Sequence, residues 1–457
     1  MRPHEEATER AELDDAWASI VARRTRLGTD RRLAELTLEV VRARGNGPEH
    51  LEILRDVAKA WTADWALALA ASELLIEQAG RRGMDEPPIR ADTAATWAAS
   101  ALDDALGALS PSERGEPDVA GRLHASLANA LRLCGPGRDE AARDAWNRAL
   151  ELDESRGSWW YDSGILHKWR GRFDDGLAAS ETALDRGAPR RPTLWNLAIC
   201  ATALGRGDAA VRAWNEIGIP ASADPKSGMP FVDGLPPLLL RVLSRPSPVD
   251  GTTELAEGVG FELVWVAPLS PCHGVVQSPT FRDAPIDYGD LVLWDGAPVA
   301  EHGLTPGERV PVFPLLEILK RGDEWRWPFV SLEREPGALD ALRETLPEGV
   351  RLFVQEERLE PHCGDCEAGV PHEHDASGDA EASGSSRGVL RRGKVIVAAG
   401  ADLEALQARW EQGLGAQKLV AALPGLYEAL QQTKRAGQEH QAWRGIERTA
   451  LKRKERS

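Results

Sequence analysis

The chain has 457 residues, and its 55 lysines and arginines against 72 aspartates and glutamates give a net charge of −17. A surface this acidic repels a phosphate backbone unless positive charge is segregated, so general nucleic-acid binding is disfavoured. A hydrophobic content of 42% with 28% charged residues excludes a wholly disordered chain, and the length suggests about three domains.

Five cysteines are too few and too scattered for a disulfide-stapled secreted domain. The start, Met1-Arg2-Pro3-His4-Glu5-Glu6, has no apolar signal-peptide core. The most apolar stretch, Trp65 to Ile76, is interrupted by Ser72 and Glu73 and falls far short of the ~20 residues of a membrane span. A reduced, cytoplasmic, soluble protein is expected. Tryptophan is the compositional oddity, with 16 copies beside three tyrosines and seven phenylalanines.

Alanine, leucine, arginine and glutamate dominate to about residue 217, and this predicts helix. Helical patterns run over 9–26, 29–44, 49–60, 62–81, 91–109 and 118–134, broken at Gly45-Asn46-Gly47-Pro48, at Gly83 to Pro88 and at Ser110-Pro111. Asp92 and Ser110 carry helix-end chemistry. From Ile219 to Glu257 seven prolines argue for a linker or packing strap. Strand patterns follow at 261–268, 274–278, 290–294, 327–332, 350–356 and 389–398, with helices at 336–346 and 402–410. Residues 414–452 return to helix. The order from Trp327 predicts an α+β module with helices on one face of a sheet.

A shift of 34 residues aligns Ala130, Gly164 and Ala198, and likewise Gly137, Gly171 and Gly205. It also aligns Ala142, Gly176 and Ala210, then Trp146, Ser180 and Trp214, then Ala149, Ala183 and Ile217. Small residues let paired helices approach closely, the second column falls at the turn, and the tryptophans fill the space between pairs. Over residues 118–218 the chain thus resembles the tetratricopeptide repeat (TPR) family, with two helices per 34-residue repeat. The best match is 157–190, with Trp160 at the first-helix aromatic position, Gly164 at the small position, Gly171 and Phe173 at the turn and Gly176 and Ala183 in the second helix. Pro189 falls one residue past the family's terminal proline, and Ser163 and Ser180 depart from its pattern.

The resemblance implies a TPR-like α-solenoid followed by a smaller α+β domain and a helical tail. The expected division is a helical region 1–117, repeats at 118–218, a linker at 219–257, an α+β domain at 258–412 with a Gly/Ser/acidic insertion at 367–388, and a helical basic tail at 413–457. The family's concave groove maps onto Leu127, Leu131, Tyr161, Ile165, Lys168, Trp195 and Ile199. These positions would hold a protein or peptide, or the chain's own C-terminal region, and a carboxylate-clamping set is not apparent among them. Nothing in the C-terminal region resembles a known family.

Four potential metal ligands lie close together as Cys363 and Cys366, at Cys-x-x-Cys spacing, followed by His372 and His374. Thiolate with imidazole in a four-ligand set favours zinc. An unmetallated polar loop and an exposed thiol pair are the competing readings. Cys272-His273 occupies a turn, and neighbours on extended chain point to opposite faces, so the two do not form a dyad with each other. Cys134 and Cys200 read as small core residues. No phosphate-binding glycine loop and no hydrolase motif occurs. The segment Lys434 to Ser457 carries +5, leaving −22 on the remainder. The leading functional expectation is a protein-interaction scaffold or adaptor. The alternative is a zinc-dependent enzyme or sensor in the C-terminal module, docked on the repeats, with Cys272 as its candidate nucleophile.

Overall fold

The computed structural model describes residues 3–81, 94–244, 260–280, 284–305, 307–333, 337–361, 387–416 and 419–451. Two units form. The first comprises Met1–Arg241, Ala267–Gly274 and Val292–Glu317, and the second Val242–Val266, Val275–Leu291 and Ile318–Ser457. This division is not linear along the chain, because two short strand-bearing segments after residue 257 belong with the helices rather than with the α+β part.

The first unit opens with α1 (Pro3–Ala22), α2 (Arg31–Arg44), α3 (Leu51–Ala60), α4 (Trp65–Arg81) and α5 (Ala94–Ala108). Capping chemistry sets some of these bounds. Asp30 accepts from the Leu33 amide at 3.1 Å and starts α2. Ser110 accepts from the Glu113 amide at 3.4 Å while Glu113 accepts from the Ser110 amide at 2.8 Å, a reciprocal cap on a short 3-10 turn. Asp92 lies outside the described residues.

Three hairpins follow: α6 (Arg122–Leu133) with α7 (Asp139–Leu152), α8 (Gly157–Trp169) with α9 (Phe173–Asp185), and α10 (Arg190–Ala203) with α11 (Gly207–Glu216). The second helices start at Asp139, Phe173 and Gly207, 34 residues apart each time. The turns of the last two hairpins are built alike. Gly171 and Gly205 both take φ of 68°, the Arg172 amide bonds His167 O at 2.9 Å, and the Arg206 amide bonds Ala201 O at 2.8 Å. These are Schellman closures, which need a residue without Cβ at the left-handed position. In the first hairpin that residue is Gly135, at φ 94°, and Gly137 lies within a 3-10 turn. The turn column at Gly137 is therefore displaced by two residues from its structural counterpart.

The small-residue columns are contact points. A Cβ on Gly164 would stand 3.4 Å from Ala179 Cβ, and one on Gly176 would stand 3.0 Å from Cys200 Sγ. Ala130, Ala142, Ala149, Ala183, Ala198 and Ala210 are all fully buried, as are Trp146 and Trp214. Ser180, in the tryptophan column, is buried and bonds Gly176 O at 2.8 Å. The buried aromatic of α8 is Trp159, packed on Ala125 and Ala149, whereas Trp160 is half-buried and donates to Glu154 O at 3.0 Å.

The proline-rich stretch is not irregular throughout. It contains β1 (Ser222–Ala223), β2 (Pro230–Phe231) and β3 (Leu238–Ser244). Pro230 opens its strand and Pro236-Pro237 precede the next, positions where a missing N–H is tolerated. Then come β4 (Gly260–Ser270), β5 (His273–Val276), β6 (Leu291–Trp294), β7 (Ala300–Thr305) and β8 (Glu308–Lys320). The six-stranded sheet runs β3-β4-β5-β6-β8-β7, and β3 also pairs β8 in parallel, Leu239–Arg241 against Val312–Pro314. The β7–β8 hairpin falls outside the predicted strands, and its second strand carries Pro311 and Pro314, residues that are unusual within a sheet. In place, Pro314 contributes the carbonyl it retains, accepting from the Asp295 amide at 3.2 Å.

In the second unit β9 (Trp325–Glu333), α12 (Ala338–Thr345), β10 (Val350–Pro361), β11 (Arg387–Val397), α13 (Leu403–Ala416), β12 (Leu419–Ala422), α14 (Pro424–Ala429) and α15 (Thr433–Leu451) follow in order. The sheet order is β10-β11-β9-β12. Trp327, Phe329, Leu339, Leu406, Trp410 and Tyr427 fill its core. β12 lies where helix was expected. Leu-Val-Ala-Ala has no strand signature of its own, and it becomes a strand by pairing Val330–Glu333 of β9. α15 is no solvated tail, since Ile446 packs with Val330, Leu390 and Ala422. Its Glu439 accepts from the Leu423 amide at 3.0 Å.

Candidate functional site

The inner face of the hairpins is built by α6, α8 and α10, each held by its turn at a 33- to 35-residue spacing. Of the seven groove positions, Leu127, Lys168 and Ile199 are buried, while Leu131, Tyr161, Ile165 and Trp195 are partly exposed. Lys168 is 4% exposed and bonds Asn196 Oδ1 at 2.8 Å and Asp295 Oδ2 at 2.5 Å. Asp295 follows β6, in a segment of the same unit. The next residue, Gly296, lies so close to the Trp195 indole that any side chain there would collide with it. Trp195 also meets Trp214 edge-on, with centroids 4.9 Å apart. The downstream part of the inner face is thus occupied by residues 295–296 of this chain.

Upstream, α4, α6 and α8 border an open cleft of about 270 Å³. Glu73, Arg122, Asn129, Ser158, Trp159 and Asp162 line it. Asn129 Nδ2 donates to Asp162 Oδ2 at 3.0 Å, and burial pushes the Asp162 carboxyl above the usual aspartate range. Arg122 and Glu73 pair loosely at 3.8 Å with both side chains about half exposed. Nothing in the 34-residue pattern marks this cleft, because α4 lies outside the aligned columns.

Cys272 is fully buried, and burial raises its thiol to about 11. A thiol held protonated at neutral pH is a poor nucleophile. His273 Nδ1 sits 2.6 Å from Ser270 Oγ rather than on the thiol. Burial lowers the His273 imidazole to about 4, and His50, His124 and His167 are also lowered, chiefly by burial. Above an ordinary histidine value of about 6.5 both states are neutral, and the full stability is present. As pH falls towards 4, the unfolded chain takes a proton that the folded chain refuses, so stability is lost across that window. For His273 alone the loss is about 3 kcal/mol. Denaturant midpoints of the full chain should fall between pH 6.5 and 4, and His273→Asn should flatten the slope. An unchanged slope in that variant would assign the effect elsewhere.

Cys363, Cys366, His372 and His374 lie outside the described residues. Zinc there is a proposal from sequence, tested by metal content of the purified chain and of Cys363→Ser. Among the described residues no three His, Cys, Asp or Glu side chains are grouped to hold a metal ion, and no helix is long and apolar enough to cross a membrane.

No protein-family model matches the chain, and no curated protein matches it. Among solved structures, "Crystal structure of MamA protein" aligns with a TM-score of 0.30 and 15% identity, over 42% of this chain and 91% of that one. A superposition this loose assigns no family.

Proposed function

We propose that the protein is a TPR-like interaction scaffold whose inner face is shared between its own chain and an external protein. What supports this reading is the pair of matched Schellman hairpins at a 34-residue interval, with an inner face filled downstream by Asp295 and Gly296 and an open cleft where α6 and α8 meet α4. A stacked array of helical hairpins offers a long concave surface whose rigidity comes from neighbour packing. Of the groove positions on its first helices, Leu131, Tyr161 and Ile165 are partly exposed. Aromatic and aliphatic anchors of this kind carry most of the energy of a protein interface.

The test is affinity purification of the tagged full chain from its native host, beside Tyr161→Ala/Ile165→Ala. A stoichiometric partner is expected with the parent and should be lost from the variant, with helical content and melting unchanged. Equal recovery from both would remove the inner face from the interaction. No stoichiometric protein in either would overturn the scaffold reading.

A further inference from the structure

The cleft between α4, α6 and α8 has a composition that selects its occupant. At about 270 Å³ it lies just below the range of small-molecule and cofactor pockets, roughly 300–1,000 Å³, and suits a single long side chain. Its lining includes two carboxylates, Glu73 and Asp162, against one guanidinium, Arg122. Arg122 is held towards Glu73 at the exposed rim, which leaves Asp162 as the inner charge. One Asp162 oxygen takes the Asn129 amide at 3.0 Å. A carboxylate offers about four acceptor positions, so capacity for a further donor remains. Trp159, 7% exposed, and the neighbouring Ile76 and Ala125 supply apolar wall beside these charges.

An apolar wall ending at a carboxylate matches a methylene stem ending in a compact cation. We infer that this cleft binds a lysine side chain of the partner, with its ammonium between Asp162 and Glu73 and its stem along Trp159. The inference rests on the scaffold reading above and names the chemistry its partner must present. Burial disfavours the ionised Asp162 carboxyl, while Asn129 and the Arg132 guanidinium favour it, and an arriving ammonium would add a second positive charge beside the carboxylate. A charge-assisted hydrogen bond of this kind contributes roughly twice what a neutral one does.

The probe is acetyl-lysinamide titrated into the full chain by calorimetry or NMR, beside acetyl-norleucinamide, which has an apolar tail in place of the ammonium. Saturable one-to-one binding of the lysine probe is expected, weakened about tenfold or more for the norleucine probe and for Asp162→Asn. Should Asp162→Asn not fold, Glu73→Gln should still weaken the lysine probe and lessen its salt dependence. Equal binding of both probes, unchanged binding in both variants, or no saturable binding of the lysine probe overturns the inference. Such a failure with the partner still captured by the parent, and lost from Tyr161→Ala/Ile165→Ala, leaves the scaffold reading standing. Probe binding without any captured partner sinks the scaffold reading alone.

Discussion

Lys168→Met is expected to destabilise the first unit by about 3–5 kcal/mol, the usual result of leaving one member of a buried ion pair without its counter-charge. Lys168 and Asp295 are 4% and 6% exposed and 2.5 Å apart. The lost ammonium would strand the Asp295 carboxylate in a setting with little water to take its place. Asp295→Leu should cost a similar amount for the mirror reason. The double variant should recover most of the loss, because a buried ion pair and a well-packed apolar pair of similar volume are close in stability. A double-mutant cycle by denaturant unfolding, followed through helical circular dichroism, measures the coupling. If Lys168→Met costs less than about 1 kcal/mol, the pair behaves as a surface ion pair. The downstream inner face would then not be sealed by this contact.

Trp214→Ala should cost about 3–5 kcal/mol, in the range of buried aromatic truncations. Trp214 is fully buried and meets Trp195 edge-on at 4.9 Å, so its removal opens a cavity and frees the ring that contacts Gly296. Trp214→Phe should cost far less than this. The indole Nε1 of Trp214 has no hydrogen-bond partner among the described residues. An unsatisfied buried donor is itself unfavourable by about 1–3 kcal/mol, and phenylalanine deletes it. Thermal and denaturant melts of the two variants separate volume from polarity. A Phe variant as unstable as the Ala variant would show that the N–H has a partner, such as a bound water.

Several features were legible because they are local. Helix bounds at Arg31–Arg44 and Leu51–Ala60 follow from Asp30, Gly45 and Pro48, residues whose backbone and capping chemistry acts within one turn. The self-similarity at 34 residues was legible because each hairpin repeats the same packing problem, small residues at the crossing and a left-handed glycine at the turn. Residues 159 and 160 are both tryptophan, so residue type does not say which of them turns inward. Only packing over Gly121, where an added Cβ would stand 2.6 Å from the Trp159 ring, decides which one turns inward. The C-terminal tryptophans have no common role. Trp327 and Trp410 are core, Trp294 is buried in the first unit, and Trp325 is 47% exposed.

The net charge of −17 and its uneven division between tail and body are properties of the chain as written. So are the α-helical character to residue 217 and the mixed character beyond it, because periodicity and turn chemistry act over a few residues. The tertiary structure alone decided that β7, β8 and β12 are strands, since a strand's N–H and C=O groups are satisfied by partners far along the chain. It alone brought Asp295 to Lys168 across 127 positions and Glu73 into one cleft with Asp162. A buried charge specifies a distant counter-charge through desolvation, and neither residue type nor spacing records where that counter-charge will come from.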